Sequence, residues 1–249
     1  MKIIPLSEGS FTIDKTKKFI PFDDEADKLH QRPAGSLLVE IQPFVVQTEK
    51  EIILLDTGLG FSDAQGKMQI HQNLVAAGIQ PSQVTKVFMS HLHKDHAGAV
   101  SEDKNRQQLC FPDATYYVRR DEFDFAIKKG TPSFLPEEFQ LLENAGQVEW
   151  ITQDEGLIDG LIQYQVTGAH SPFHQVCWIR ENYQTIFFGA DDAPQLQQMK
   201  HRFAAKYDHD GKKAMELRTE WWERGQEEKW TFLFYHDIKT PVFGGSAGI

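Results

Sequence analysis

Cysteine is nearly missing from this chain, with two residues among 249, Cys110 and Cys177, far apart in sequence. Two isolated thiols cannot staple a small secreted scaffold, and both read as reduced packing residues. Neither sits at a metal-binding spacing, so any metal site must be built from nitrogen and oxygen donors. Long hydrophobic runs are absent too. No segment approaches the ~20 apolar residues of a membrane span, and the opening MKIIPLSEGSFTIDKTKKF lacks the apolar stretch of a secretory leader. These absences predict a cytoplasmic protein with no membrane partner. Positive charge is also in deficit: 26 Lys and Arg against 36 Asp and Glu give a net charge of −10, which argues against nucleic acid as a partner. No repeat, low-complexity tract or Pro/Gly-rich linker divides the chain, so residues 1–249 are read as a single domain.

With 40% hydrophobic and 25% charged residues, the composition suffices for a large core. MKIIPL, LLVEIQPFVVQ and EIILLDTG read as strands, with FVVQ and EIILL forming a hairpin around Thr48-Glu49-Lys50. KMQIHQNLVAAGI has helical spacing and stops at Gly78. KVFMS reads as a short buried strand, TYYVR as another, and RDEFDFAIKKG and PEEFQLLENAG as helices. QVEWIT, LIQYQVTG, QVCWIRE and TIFFGA are strand-like, GKKAMELRTEWWERG is helical, and TFLFYHD is a last strand. Strands followed by helices, twice over, suggest two packed sheets with helices outside.

The most informative stretch is SHLHKDHAGAV, which places His91, His93, Asp95 and His96 within six positions directly after an apolar strand. A polar turn accounts for one such histidine, not three. Imidazole nitrogen and carboxylate oxygen are natural donors to zinc and similar divalent ions, and alternate loop residues can converge on different ions. Further candidates follow apolar strands: His170 and His174 in TGAHSPFHQ, Asp191 and Asp192 in FFGADDAP, and His236 in FYHD.

Taken in order, these motifs resemble the metallo-β-lactamase fold superfamily, whose signature is H-x-H-x-D-H after a buried strand. Thr167 to His174 match its third motif loosely, Ala190-Asp191 its fourth, His236-Asp237 its last, and Asp56-Thr57-Gly58 its early strand end. The resemblance implies an α/β fold, a four-layer αββα sandwich with the site at one edge. It further implies a dinuclear centre: His91, His93 and His170 on one metal, Asp95, His96 and His236 on the other, and Asp191 bridging with a hydroxide between. Nitrogen and oxygen donors suit zinc first, and also manganese, iron or cobalt. Asp192 competes with Asp191 for the bridge, and Pro194 following Ala190-Asp191 favours Asp191. His174 reads as a packed or supporting histidine, and Asp56 as an acceptor for a ligand imidazole.

The spacing from Asp191 through KYD (206–208) to YHD resembles the branch of N-acyl homoserine lactonases, esterases and organophosphate hydrolases. The expectation is a metal-dependent hydrolase of a small-molecule ester or lactone, Asp191 and Asp95 being its catalytic carboxylates. Asp191 would carry the proton to the leaving oxygen, with His174 the less favoured carrier. A phosphodiesterase or phosphotriesterase on the same centre is the alternative, and a non-enzymatic metal-binding module the weakest reading. Lactonases of this branch carry a tyrosine three residues after the bridging aspartate. Here Pro194 stands there, and Tyr207 is a candidate substitute. Phe22, Phe173 and Tyr207 are pocket candidates, while Trp221, Trp222 and Trp230 read as packing residues. His30, His71, His201 and His209 read as solvated or locally satisfied, and 223–229 as a solvated helix end and loop. The polar segment 14–35 is a candidate homodimer arm or pocket lid, against a plain surface loop.

Overall fold

The computed structural model describes residues 1–23, 25–102 and 107–245. Two six-stranded sheets and a small three-stranded one carry the fold. In the first large sheet, Phe44–Gln47 and Ile52–Leu55 form the expected hairpin, and Lys86–Phe88, Thr115–Arg119 and Val148–Ile151 continue it in parallel. The second runs through Glu155–Ile158, Ile162–Val166, Gln175–Glu181 and Gln184–Phe188, then in parallel to Thr231–Leu233 and back through Val242–Gly244.

Strand alternation sorts side chains into three separate apolar layers. Val45, Leu54 and Val87 point outward and pack with Ile70 and Leu74 of the helix Gln69–Ala76 and Phe123 and Ala126 of the helix Arg120–Lys129. Their neighbours Phe44, Val46, Ile53, Leu55 and Phe88 point inward, meeting Ile162, Cys177, Ile179 and Phe188 of the other sheet. On that sheet's far face, Val176, Trp178 and Phe187 pack against Trp221 of the helix Gly211–Glu227 and Met199 of the helix Leu196–Lys200. Three apolar layers between four structural ones make the αββα sandwich. Both cysteines are buried within it, and neither is in a disulfide.

Local differences from the sequence reading have local causes. LLVEIQPFVVQ is two strands, Leu37–Ile41 and Phe44–Gln47, in different sheets, broken at Pro43, which has no N–H to donate. PEEFQLLENAG is a single helical turn, Pro136–Phe139, followed by a 3-10 segment, Gln140–Asn144. Phe139 breaks the run at φ −130°, driven by burial of its ring in the outer core. As expected, the charge run is a helix end, residues 223–227 closing the long helix with Arg224 paired to Glu228 at 2.6 Å. In the segment 14–35, Phe19–Pro21 pairs with Gly9–Ile13, and residue 24 lies outside the described residues. No described helix is long and apolar enough to cross a membrane.

Candidate metal centre

Parallel strand pairs set the site. Ile52–Leu55 and Lys86–Phe88 lie side by side in one sheet, and Gln184–Phe188 and Thr231–Leu233 in the other. The segments that follow these strands deliver Asp56, Ser90, Asp191 and His236, the arrangement that favours sites beyond the carboxyl ends of parallel strands. Two turns there are sharp: Asp56 and Ala190 adopt positive φ, +56° and +42°. A non-glycine residue in that region costs roughly 1–3 kcal/mol, held here by surrounding contacts. After Ser90 the chain makes one helical turn, Lys94–Ala97, with His93 as its cap. Gly98 seats this turn on the loop after Asp56; a Cβ there would lie 2.3 Å from the Leu59 carbonyl carbon.

Seven of the sequence-predicted residues converge. His91 Nε2 lies 2.9 Å from His93 Nδ1, which lies 3.1 Å from His170 Nε2. Asp191 Oδ2 faces this group, 3.1 Å from His170 Nε2 and 4.0 Å from His91 Nε2. Its other oxygen, Oδ1, lies 3.1 Å from His96 Nε2 and 2.9 Å from His236 Nε2. Asp95 Oδ2 completes that second group, 3.8 Å from His96 Nε2 and 3.7 Å from His236 Nε2. The carboxylate of Asp191 is thus divided between two donor sets. Asp192 points elsewhere: its carboxylate accepts from the His170 backbone N–H at 2.7 Å, pairs with His174 Nδ1 at 3.0 Å and is bonded by Thr167. His174 is fully buried behind His91, with ring centroids 4.9 Å apart.

Four imidazoles have Nδ1 tied to an acceptor, which forces the proton onto Nδ1 and leaves Nε2 with its lone pair aimed into the cluster. Asp56 accepts from His96 at 2.7 Å, Asp208 from His170 at 2.9 Å, and the Glu40 carbonyl from His236 at 2.7 Å. His91 reaches Ser90 Oγ at 3.0 Å, whose own proton goes to Asp56 at 2.6 Å. Sequence reasoning expected Asp56 in this role and missed Ser90, Asp208 and the Glu40 carbonyl. It also missed Glu122, buried between two loops, where it accepts from the Leu92 N–H at 3.2 Å and the Ser171 hydroxyl at 3.1 Å.

Burial, aided by neighbouring rings, pushes His91 and His93 well below the ordinary imidazole range. Burial would lower His96, His170 and His236 as well, but the carboxylate of Asp191 together with Asp95 and Asp56 at His96, Asp208 and Asp192 at His170, and Asp95 at His236 outweighs it and raises all three. Conversely, burial would raise Asp191, and the same imidazoles hold it well below the usual carboxylate range. His96 Nε2 and Asp191 Oδ1 are buried and face each other at 3.1 Å, with His236 Nε2 2.9 Å from the same oxygen, so a bound cation would take the place of these contacts. Donor spacings of 2.9–4.0 Å bracket the roughly 3.3 Å expected around a tetrahedral ion with bonds near 2.0–2.1 Å. Donor type, tautomer and spacing all fit divalent ions.

A cavity of about 530 Å³ opens on the cluster, lined by His93, Asp95, His170, Asp191 and His236 and by apolar residues including Phe19, Leu38, Phe125 and Phe134. Of the three pocket candidates Tyr207 lines it; Phe22 and Phe173 do not, Phe22 being buried and Phe173 packed against Phe125 with centroids 6.0 Å apart. His209, expected to be solvated or locally satisfied, lines it as well, and so do Lys17, Phe19 and Arg32 of the segment 14–35.

A family model described as the metallo-beta-lactamase superfamily matches residues 40–220. The chain is 32% identical over 114 residues to N-acyl homoserine lactonase AttM of Rhizobium radiobacter, an alignment covering 42% of this chain and only 39% of that relative. A probable metal-dependent hydrolase from Staphylococcus aureus superposes with a TM-score of 0.80 at 19% identity, covering 98% of this chain and 91% of the other. The dizinc quorum-quenching lactonase AidC superposes with a TM-score of 0.72 at 21% identity, covering 96% and 88%. At these identities the structural likenesses speak to the fold.

Proposed function

The chain belongs to the metallo-beta-lactamase superfamily, and from that premise we propose that it is a metal-dependent hydrolase opening an ester or lactone bond in a small molecule. The observation that carries this is the sharing of one buried carboxylate, Asp191, between two converging donor sets. In this reading His91, His93 and His170 hold one divalent ion, Asp95, His96 and His236 the other, and Asp191 contacts both. Zinc is the first choice for such donors. Bound there, such ions would acidify water toward a nucleophile at neutral pH and polarise a carbonyl oxygen.

The chain's own residues supply the remainder. The Nδ1 partners Asp56, Ser90, Asp208 and the Glu40 carbonyl orient four of the five rings, those of His96, His91, His170 and His236, with Nε2 toward the ions. Asp191, on the cavity wall, takes the proton released as water attacks and passes it to the leaving oxygen. Asp95 is the second carboxylate within reach of that path. The apolar wall of Phe19, Leu38, Phe125 and Phe134 receives the acyl portion and excludes bulk water. Tyr207 takes the donor role left open by Pro194. Its hydroxyl, pushed up to about 12 by burial, keeps its proton throughout the neutral range. A lactone carbonyl is the preferred substrate because the curated relatives that match are named as N-acyl homoserine lactonases.

The test is a hydrolysis panel on metal-loaded protein, comparing acyl homoserine lactones, aryl esters, phosphodiesters and phosphotriesters, with metal content measured alongside. The expected result is lactone or ester turnover with about two ions per chain, both abolished by chelation and by Asp191→Asn. Strong phosphodiester turnover with silent lactones would overturn the carbonyl assignment, and no turnover at full metal content would overturn the enzymatic one.

A further inference from the structure

The cavity carries a charge pattern that the hydrolytic centre does not use. Its three carboxylates, Asp95, Asp191 and Asp208, all face imidazoles. Its cations are different. Arg32, Lys17, Lys94 and Lys129 line the same space, and none has a carboxylate partner among the described residues. Lys94 is committed in part, its Nζ donating to the Lys17 carbonyl. Arg32 is not. Its Nε and Nη1 are buried without any hydrogen-bond partner, and the buried hydroxyl of Ser36 is in the same state. The two residues flank a turn closed by the Ser36 N–H on the Pro33 carbonyl at 3.0 Å, and both line the cavity.

Two buried guanidinium nitrogens without partners leave the desolvation of those donors uncompensated. The guanidinium's planar fork matches a carboxylate or phosphate in bidentate fashion, and an adjacent hydroxyl can donate a third bond. In a chain of net charge −10, these cationic groups set a locally positive stretch in the cavity lining. We propose that Arg32 and Ser36 form an oxyanion-binding subsite, so that the substrate is an ester or lactone bearing a carboxylate or phosphate remote from the bond that breaks. The inference rests on the hydrolase reading for the scissile bond alone; the subsite itself is a binding claim.

The experiment pairs 4-nitrophenyl esters that differ only at the far end: the neutral pentanoate, the hemiglutarate with a terminal carboxylate, and the analogue with a terminal phosphate. Each is hydrolysed by metal-loaded wild type, Arg32→Ala, Arg32→Lys and Ser36→Ala, and binding of free glutarate and of inorganic phosphate to the same proteins is measured by calorimetry. The anionic esters should exceed the neutral one in kcat/KM by about tenfold or more, the scale of one charge-assisted hydrogen bond. Arg32→Ala should erase that preference through KM, the ratio of anionic to neutral ester falling to about one. Arg32→Lys, which keeps the charge and loses the fork, should retain part of it. The carboxylate and phosphate arms decide which oxyanion fits. Equal turnover of neutral and anionic esters, unmoved by Arg32→Ala, would overturn the subsite while leaving the hydrolase standing. Absent turnover of all three would overturn the hydrolase, and calorimetry would still decide the subsite. Glutarate and phosphate binding that is weak, or unchanged in Arg32→Ala, would refute it.

Discussion

Glu8 offers a test of the fold's electrostatics away from the histidine cluster. Its Oε2 accepts from the Leu59 backbone N–H at 2.6 Å, and its Oε1 is buried with no partner. The carboxyl lies so close over Gly58 that a Cβ there would come within 2.5 Å. Among the described residues no cation pairs with it. Burial therefore dominates and pushes its pKa from the ordinary 4.5 up to about 7, the Leu59 bond recovering only part. Because the folded state holds this proton more tightly, the contribution to stability is fully present below pH ~4.5. It is lost as pH rises through 7 and is constant above. A shift of about 2.5 units corresponds to about 3 kcal/mol in total, of which about 2.5 falls between pH 5 and 8. Glu8→Gln keeps an acceptor for Leu59 and cannot ionise. Urea unfolding of both proteins at pH 5 and pH 8, under the same metal conditions, isolates this group, since every other titration is shared. The variant should gain about 2–3 kcal/mol relative to wild type between the two pH values. Parallel stability–pH curves would show that the carboxyl is hydrated or paired, and would refute the reasoning.

Removing the acceptor behind a ligand imidazole should loosen metal without removing a donor. Asp208→Asn and Asp56→Asn should each weaken metal binding about 10–100-fold in a chelator competition, with Asp56→Asn the more severe because its carboxylate also holds the Ser90 N–H and hydroxyl. Tyr207→Phe should lower kcat/KM on lactones by about tenfold, one lost hydrogen bond to the developing oxyanion, and wild-type activity should show no loss from phenol ionisation below pH 10. Gly98→Ala places a methyl against the Leu59 backbone. Overpacking of about 1–3 kcal/mol should lower Tm by several degrees in calorimetry, with reduced metal retention because the His91–His96 turn moves with it.

What the sequence reveals depends on how locally each residue acts. His91, His93, Asp95 and His96 sit in one short turn, so their crowding is visible in the string itself. His170, Asp191 and His236 each stand alone after an apolar strand, and only the ordered series of motifs suggests that they meet. Asp191 and Asp192 were separable only by a neighbouring proline; in three dimensions they share a 3-10 turn that sends one carboxylate to the cluster and the other behind it. Asp208, Ser90 and Glu122 left no local signal, because their partners are chosen by how distant loops pack. The same holds for Arg32, which in a polar segment looks like any solvated arginine. Glu155–Ile158 went unread as a strand, since EGLI with its glycine has almost no β character outside the hairpin that pairs it with Ile162–Val166.

One feature of the cluster bears on the molecule's mechanics. His91, His93, Asp95 and His96 follow strands of one sheet, and His170, Asp191 and His236 follow strands of the other, so each donor set draws from both. An ion in either set is then a clasp across the sandwich at the very edge where the cavity leaves the two sheets without an apolar seal. At a thousandfold excess over Kd, each ion would add about 4 kcal/mol to that junction. Chelation should therefore release amide protons along the facing strands as well as the loops, in the way an unlatched cover lifts along its whole margin. Metal supply would thus govern how long this protein survives proteolysis.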